Sequence, residues 1–202
     1  MSGSLSRADI RADLKDSLHD AASVLADPAD FDRCLAAALA HLAEVLPRTL
    51  AATLTLSAGV SEYAVPADYL RFKMALWGRA NTVQPWDKAH PGRLPDIYHV
   101  EDVLLMVPAP SARQIGLLGS DYRFYYFAGY TLDESVAANT TLPESLRGLL
   151  LLRAQAECCK ELAMRNVSKP VTMRDAGGQP KNGTPSHLYK VLLDEFMVRV
   201  TA

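Results

Sequence analysis

Residues able to act on a substrate are few in this chain, and their spacing decides what they can do. Gly59-Val60-Ser61-Glu62-Tyr63 sets a serine two places after a glycine, as a nucleophile elbow does. That strained turn needs a second small residue where Tyr63 stands, so acyl transfer through Ser61 is not expected. His19, His41, His90, His99 and His187 fall on five different predicted elements, none at the spacing of a metal-binding helix or finger. They read as solvent-facing or satisfied core histidines. Cys34 stands alone; Cys158 and Cys159 are neighbours on a helical stretch. Helical neighbours diverge by about 100°, which suits neither a relaxed disulfide nor chelation. All three cysteines read as small buried hydrophobes. Gly177-Gly178 lacks the lysine and the strand-to-helix frame of a phosphate loop. Asp30 with Asp32, and Glu101 with Asp102, lie at predicted element ends, where carboxylates cap and solubilise. No catalytic residue, metal ligand or cofactor is expected, and the chain reads as a non-enzyme that works through surfaces.

The elements that position these residues follow from periodicity. Ile10, Leu14, Leu18, Ala21 and Leu25 predict a helix over 5–26, which Asp27-Pro28 breaks. Asp30 is the expected N-cap of a second helix over 30–46, with Phe31, Leu35, Leu39, Leu42 and Leu46 as its stripe and Pro47 as its stop. The two form an antiparallel hairpin, and Ala36, Ala37, Ala38, Ala40 and Ala43 allow close approach. Between 49 and 130 short β-branched and aromatic runs replace the helical period. Strands are predicted over 52–56, 62–65, 72–77, 97–100, 103–107 and 122–127, with a reversal at 99–103. The proline-bearing stretch 80–96 is an exposed excursion. The aromatic run Tyr122 to Phe127 suits base stacking, but a strand covered on both faces accounts for it and is the preferred reading.

Leu142-Pro143-Glu144 opens a third long helix over 143–166. Its apolar side carries Leu149, Leu152, Ala156, Cys159 and Leu162, with Arg147, Arg153, Glu157, Lys160, Glu161 and Arg165 opposite, towards solvent. Residues 168–183 are rich in turn formers and read as a flexible linker. Thr184-Pro185 then opens a last helix to about Val200, on which Leu188, Tyr189, Leu192, Leu193 and Phe196 cover more than a narrow stripe. Such a helix either packs into the parent core or docks on another chain. The expected fold is α+β: an antiparallel helical bundle of about four helices with an inserted small antiparallel β region. The expected division is a body over 1–167 and a linker with docking helix over 168–202.

Bulk properties exclude several partners. With 21 Lys and Arg against 23 Asp and Glu in 202 residues, the chain is nearly neutral, which does not favour a nucleic-acid clamp. A hydrophobic share of 49% argues against global disorder. No apolar run approaches the roughly 20 residues that cross a bilayer. The polar N-terminus does not read as a signal peptide, so synthesis in the cytoplasm and no membrane partner are expected.

The stretch Ser57 to Arg71 reads as a structural joint. Gly59 sits in the turn of a β-hairpin, Tyr63 is on its returning strand, Pro66 and Asp68 bend the chain, and Tyr69 anchors the β region. From a helical hairpin through this segment, an aromatic strand at 122–130 and the Leu142-Pro143-Glu144 helix, the order of parts resembles the head-to-tail adaptor (connector) proteins of tailed bacteriophages. The resemblance covers roughly 31–165. It implies a virion protein of the neck: twelve copies form a ring beneath the portal protein, extend the DNA channel and offer a platform to tail or neck proteins. Double-stranded DNA passes without sequence-specific binding. The resemblance further implies a C-terminal extension that reaches the portal, so Leu188, Tyr189, Leu192, Leu193 and Phe196 are the expected portal-binding residues. A tail-completion or stopper protein is the alternative within the same machinery; a small nucleic-acid-binding regulator or an enzyme is the alternative outside it.

Overall fold

The computed structural model describes residues 5–79, 83–166 and 184–201. The fold is α+β with antiparallel sheets, as expected. The chain divides into a helical unit, drawn from Met1–Leu46 and Tyr130–Ala202, and a β unit, Pro47–Gly129. The two units meet the chain at 46/47 and 129/130, and the last helix shares the core of the helical unit. The linker expected over 168–183 lies outside the described residues.

In the helical unit α1 spans Arg7–Ser17, with Ser6 as its N-cap accepting from the Asp9 N–H. The predicted helix over 5–26 ends early. Ser17 Oγ turns back to the Leu14 carbonyl at 2.7 Å, and His19 takes a positive φ of 49°. A 3-10 segment, His19–Val24, then delivers Ala22 and Leu25 to the core, so the apolar spacing continues although the helix does not.

Helix α2, Ala29–Val45, buries Phe31, Cys34, Leu35, Ala38 and Leu42. Asp30 is not its N-cap. It stands inside the first turn and its carboxylate reaches back to the Ala26 N–H at 2.6 Å. Of the alanines expected at a close approach, Ala38 and Ala43 are buried while Ala36, Ala37 and Ala40 are exposed. A 3-10 turn, Glu144–Leu146, precedes α4, Arg147–Arg165. The last helix, α5, spans Pro185–Thr201; its Phe196 is fully buried, and Leu192 and Val200 pack on the same core. All four of these helices feed one apolar core, with Ile10, Leu14, Leu42, Leu150 and Cys158 at its centre.

The β unit holds two three-stranded antiparallel sheets. In the first, β1 (Arg48–Thr55) and β3 (Tyr69–Ala75) flank β6 (Asp121–Ala128); in the second, β2 (Glu62–Ala64) and β4 (Asp96–Val100) flank β5 (Val103–Val107). All six predicted strands are present. Their inner faces share a core of Trp77, Leu104, Met106, Tyr122, Phe124 and Tyr126. One element was not foreseen: α3, Ala112–Leu118, opened by a capping box in which Ser111 and Gln114 satisfy each other's backbone N–H groups. The signal was the Ser-x-x-Gln spacing directly after Pro110. Helix α3 also ties down part of the exposed excursion: Gln114 Nε2 donates to the Arg93 carbonyl at 2.7 Å, and Arg113 to the Lys88 and His90 carbonyls.

Candidate functional site

The segment read as a joint lies between β1 and β2, which belong to different sheets. Gly59 adopts φ 77° and donates its N–H to the Pro110 carbonyl at 2.9 Å. The expected hairpin is absent, because β1 pairs with β6 and β2 with β5, so the segment carries the chain from one sheet to the other. The Tyr63 hydroxyl closes the turn, accepting from the Ser57 N–H at 3.1 Å and lying 3.2 Å from the Val60 carbonyl. Beyond Pro66, whose carbonyl accepts from the Tyr69 N–H, Asp68 accepts from the Tyr126 hydroxyl at 2.9 Å. The Tyr69 ring packs between His99 and Tyr126, with centroids 4.9 and 5.7 Å away. Ser61 leads into a strand and not the helix that a nucleophile elbow requires, and its carbonyl accepts from the Met106 N–H.

Other candidates for chemistry resolve into packing. The three cysteines are free and buried; a hydrogen bond with Cys34, then burial, push the Cys158 thiol up, and burial pushes up that of Cys159. Among the described residues no group of three or more His, Cys, Asp or Glu side chains could hold a metal. A cleft of about 390 Å³ in the β unit is lined by Phe72, Trp77, Leu94, Ile97 and Tyr122, with Arg79 and Asp96 as its charged residues. Burial pushes the Tyr122 phenol up to about 12, and Trp77 Nε1 donates to the Gly119 carbonyl. Among the described residues, no serine, cysteine, histidine or lysine lines this cleft. No described helix is long and apolar enough to cross a membrane.

Arg153 and Glu157, expected towards solvent, are instead 7% and 9% exposed. Arg153 donates through Nε to His41 Nδ1 at 2.7 Å and through Nη2 to Glu157 Oε1 at 2.5 Å, and the Phe196 ring lies 5.3 Å from the His41 ring. Burial, then the nearby Arg153 guanidinium, hold the His41 imidazole below its ordinary value. Helix α5 thus occupies a side of α4 that periodicity had assigned to water. A second polar cluster fastens the start of α2 to the end of α4: Asp30 accepts from Arg33 at 2.8 Å and from Arg165 at 2.5 Å, and both arginines also meet Glu161.

The residues named for docking separate on α5. Phe196 and Leu192 face the core, Tyr189 and Leu193 are half-buried, and Leu188 is exposed. Val191 and Val198, absent from the sequence reading, are 46% and 67% exposed and lie with Leu188 on one outward stripe at three- and seven-residue spacing. Periodicity held that stripe too, hidden because nearly every turn of the helix is apolar.

The outer face of the first sheet is open, which corrects the reading of the aromatic run as covered on both sides. Along β6 Tyr122, Phe124 and Tyr126 are buried, whereas Arg123 is exposed and Tyr125 and Phe127 are half-exposed. Arg71 lies over the Phe127 ring at 4.5 Å, Lys73 Nζ over the same ring at 5.1 Å, and Arg123 over Tyr125 at 5.7 Å.

A family model described as SU10 adaptor protein matches residues 5–172. Among solved structures, a chain from the neck of a native GTA particle, computed with C12 symmetry, is 14% identical; 90% of this chain and 86% of that chain are covered, with a TM-score of 0.26. No curated protein matches the chain.

Proposed function

Because the chain belongs to the SU10 adaptor protein family, we propose that it is a non-enzymatic head-to-tail adaptor that forms a ring of twelve copies beneath the portal of a tailed phage particle. The ring extends the DNA channel and presents a platform to tail or neck proteins. The observation that carries this reading is the extent of the family match, which runs through both the helical unit and the β unit.

In this reading the helical unit is an antiparallel bundle, and the portal is met by the outward stripe of α5, where Leu188, Val191 and Val198 are exposed. Mixing the purified full chain with assembled portal and measuring the mass of the product tests the proposal. A complex with twelve bound copies is expected; no binding, or binding without ring stoichiometry, overturns it. Val191→Asp with Val198→Asp should lose attachment and keep the wild-type melting curve, since both side chains already meet solvent.

A further inference from the structure

We propose that the open face of the β1–β6–β3 sheet contacts the phosphate backbone of duplex DNA. Arg71, Lys73 and Arg123 are all exposed on this face, and among the described residues none of them is in an ion pair. Nine other cations, among them Arg11, Arg33, Arg147 and Arg165, are paired with carboxylates. Nine described cations lie outside any ion pair, and three of them meet on this one face. Asp121, at the far end of β6, is the acid on the same side of that strand.

The register explains how the face is built. Thr49 lies opposite Phe127, Ala51 opposite Tyr125 and Thr53 opposite Arg123. Arg71 flanks Phe127 from the other edge, and a bulge between Phe72 and Met74 turns Lys73 onto the same ring, where its Nζ also donates to Thr49 Oγ1 at 3.1 Å. Small side chains along β1 leave room for a backbone to approach. Arginine over an aromatic ring keeps its donors outward in a planar fork that suits phosphate, and the ring limits the side-chain freedom lost on contact. Because cations cover the rings, the face is not a base-stacking platform; the fit is to phosphates and is independent of base sequence.

This inference deepens the adaptor reading by naming the surface that meets passing DNA, and it rests on that reading only for the choice of duplex. Full-length protein is titrated into a labelled mixed-sequence DNA duplex and followed by anisotropy at several salt concentrations. Three phosphate contacts predict a loss of about 40-fold in affinity between about 50 and 200 mM salt. Arg71→Gln, Lys73→Gln and Arg123→Gln should each lower the salt slope by about 0.9, while Lys88→Gln and Lys190→Gln leave it unchanged. Ala51→Glu with Thr53→Glu, at exposed positions, should weaken binding as the combined glutamine variant does. Arg71→Lys with Arg123→Lys should retain most of it. No duplex binding at low salt, binding indifferent to these substitutions, or preference for polyglutamate over DNA overturns the proposal. The same variants are weighed on the portal: full attachment with no DNA binding in the wild type sinks this inference alone, whereas no attachment sinks the adaptor reading.

Discussion

Asp30 shows how one side chain ties acidity to stability. The Ala26 N–H first, with Arg165 and Arg33 assisting, holds its carboxyl below the ordinary 3.8. A folded-state value below the unfolded one stabilises the fold fully above 3.8, and that contribution is lost as pH falls through the lower folded value. His41 has the same sign in a higher window: its value is lowered from 6.5 by burial and by Arg153, so its contribution is complete above 6.5 and declines as pH falls through the folded value. Urea midpoints measured down the pH scale should therefore drop in two stages, with His41→Gln flattening the upper and Asp30→Asn the lower. Gly59→Ala should cost about 1–2 kcal/mol from its left-handed φ alone, because an added Cβ meets nothing within 4 Å. Gly78→Ala should cost more: φ is 72° and a Cβ would lie 2.9 Å from side-chain carbons of Leu94 and Leu118.

Among the elements, α5 separates two roles that one apolar helix combines. Phe196→Ala should destabilise the protein by about 3–5 kcal/mol, whereas Val198→Ala should stay within about 0.5 kcal/mol; chemical denaturation reads both. Breaking the buried pair with Glu157→Ala should cost about 3 kcal/mol, since Arg153 would keep its charge without a counter-ion. Strand positions and the cores of α2 and α4 were legible from the chain because local alternation and helical stripes encode them. What escaped depended on distant partners. Nothing near Arg153 announces that α5, more than thirty residues on, will cover it. The hairpin expected at Gly59 failed because β1 finds β6 and not its neighbour β2. The early end of α1 was invisible because the 3-10 segment preserves the apolar spacing. At the candidate surfaces, the exposure of Val191 and Val198 and the cationic sheet face emerged only once the register and the inward side of α5 were known.

For the whole molecule the adaptor reading makes a prediction about particles. Virions lacking this protein should appear as packaged heads that leak DNA and carry none of the downstream neck proteins, as negative-stain images and protein mass spectra would show; intact infectious particles would refute it. The β unit starts and stops at one locus: Arg48 pairs with Ala128 across the first and last rungs of β1 and β6, and the Tyr130 hydroxyl, just after the insert, donates to the Leu46 carbonyl, just before it, at 2.6 Å. An insert whose two ends meet can be exchanged by recombination at a single hinge without rethreading its host. Viruses sharing the helical scaffold could thus inherit different β cassettes as whole units, with Tyr130 and Leu46 marking the splice.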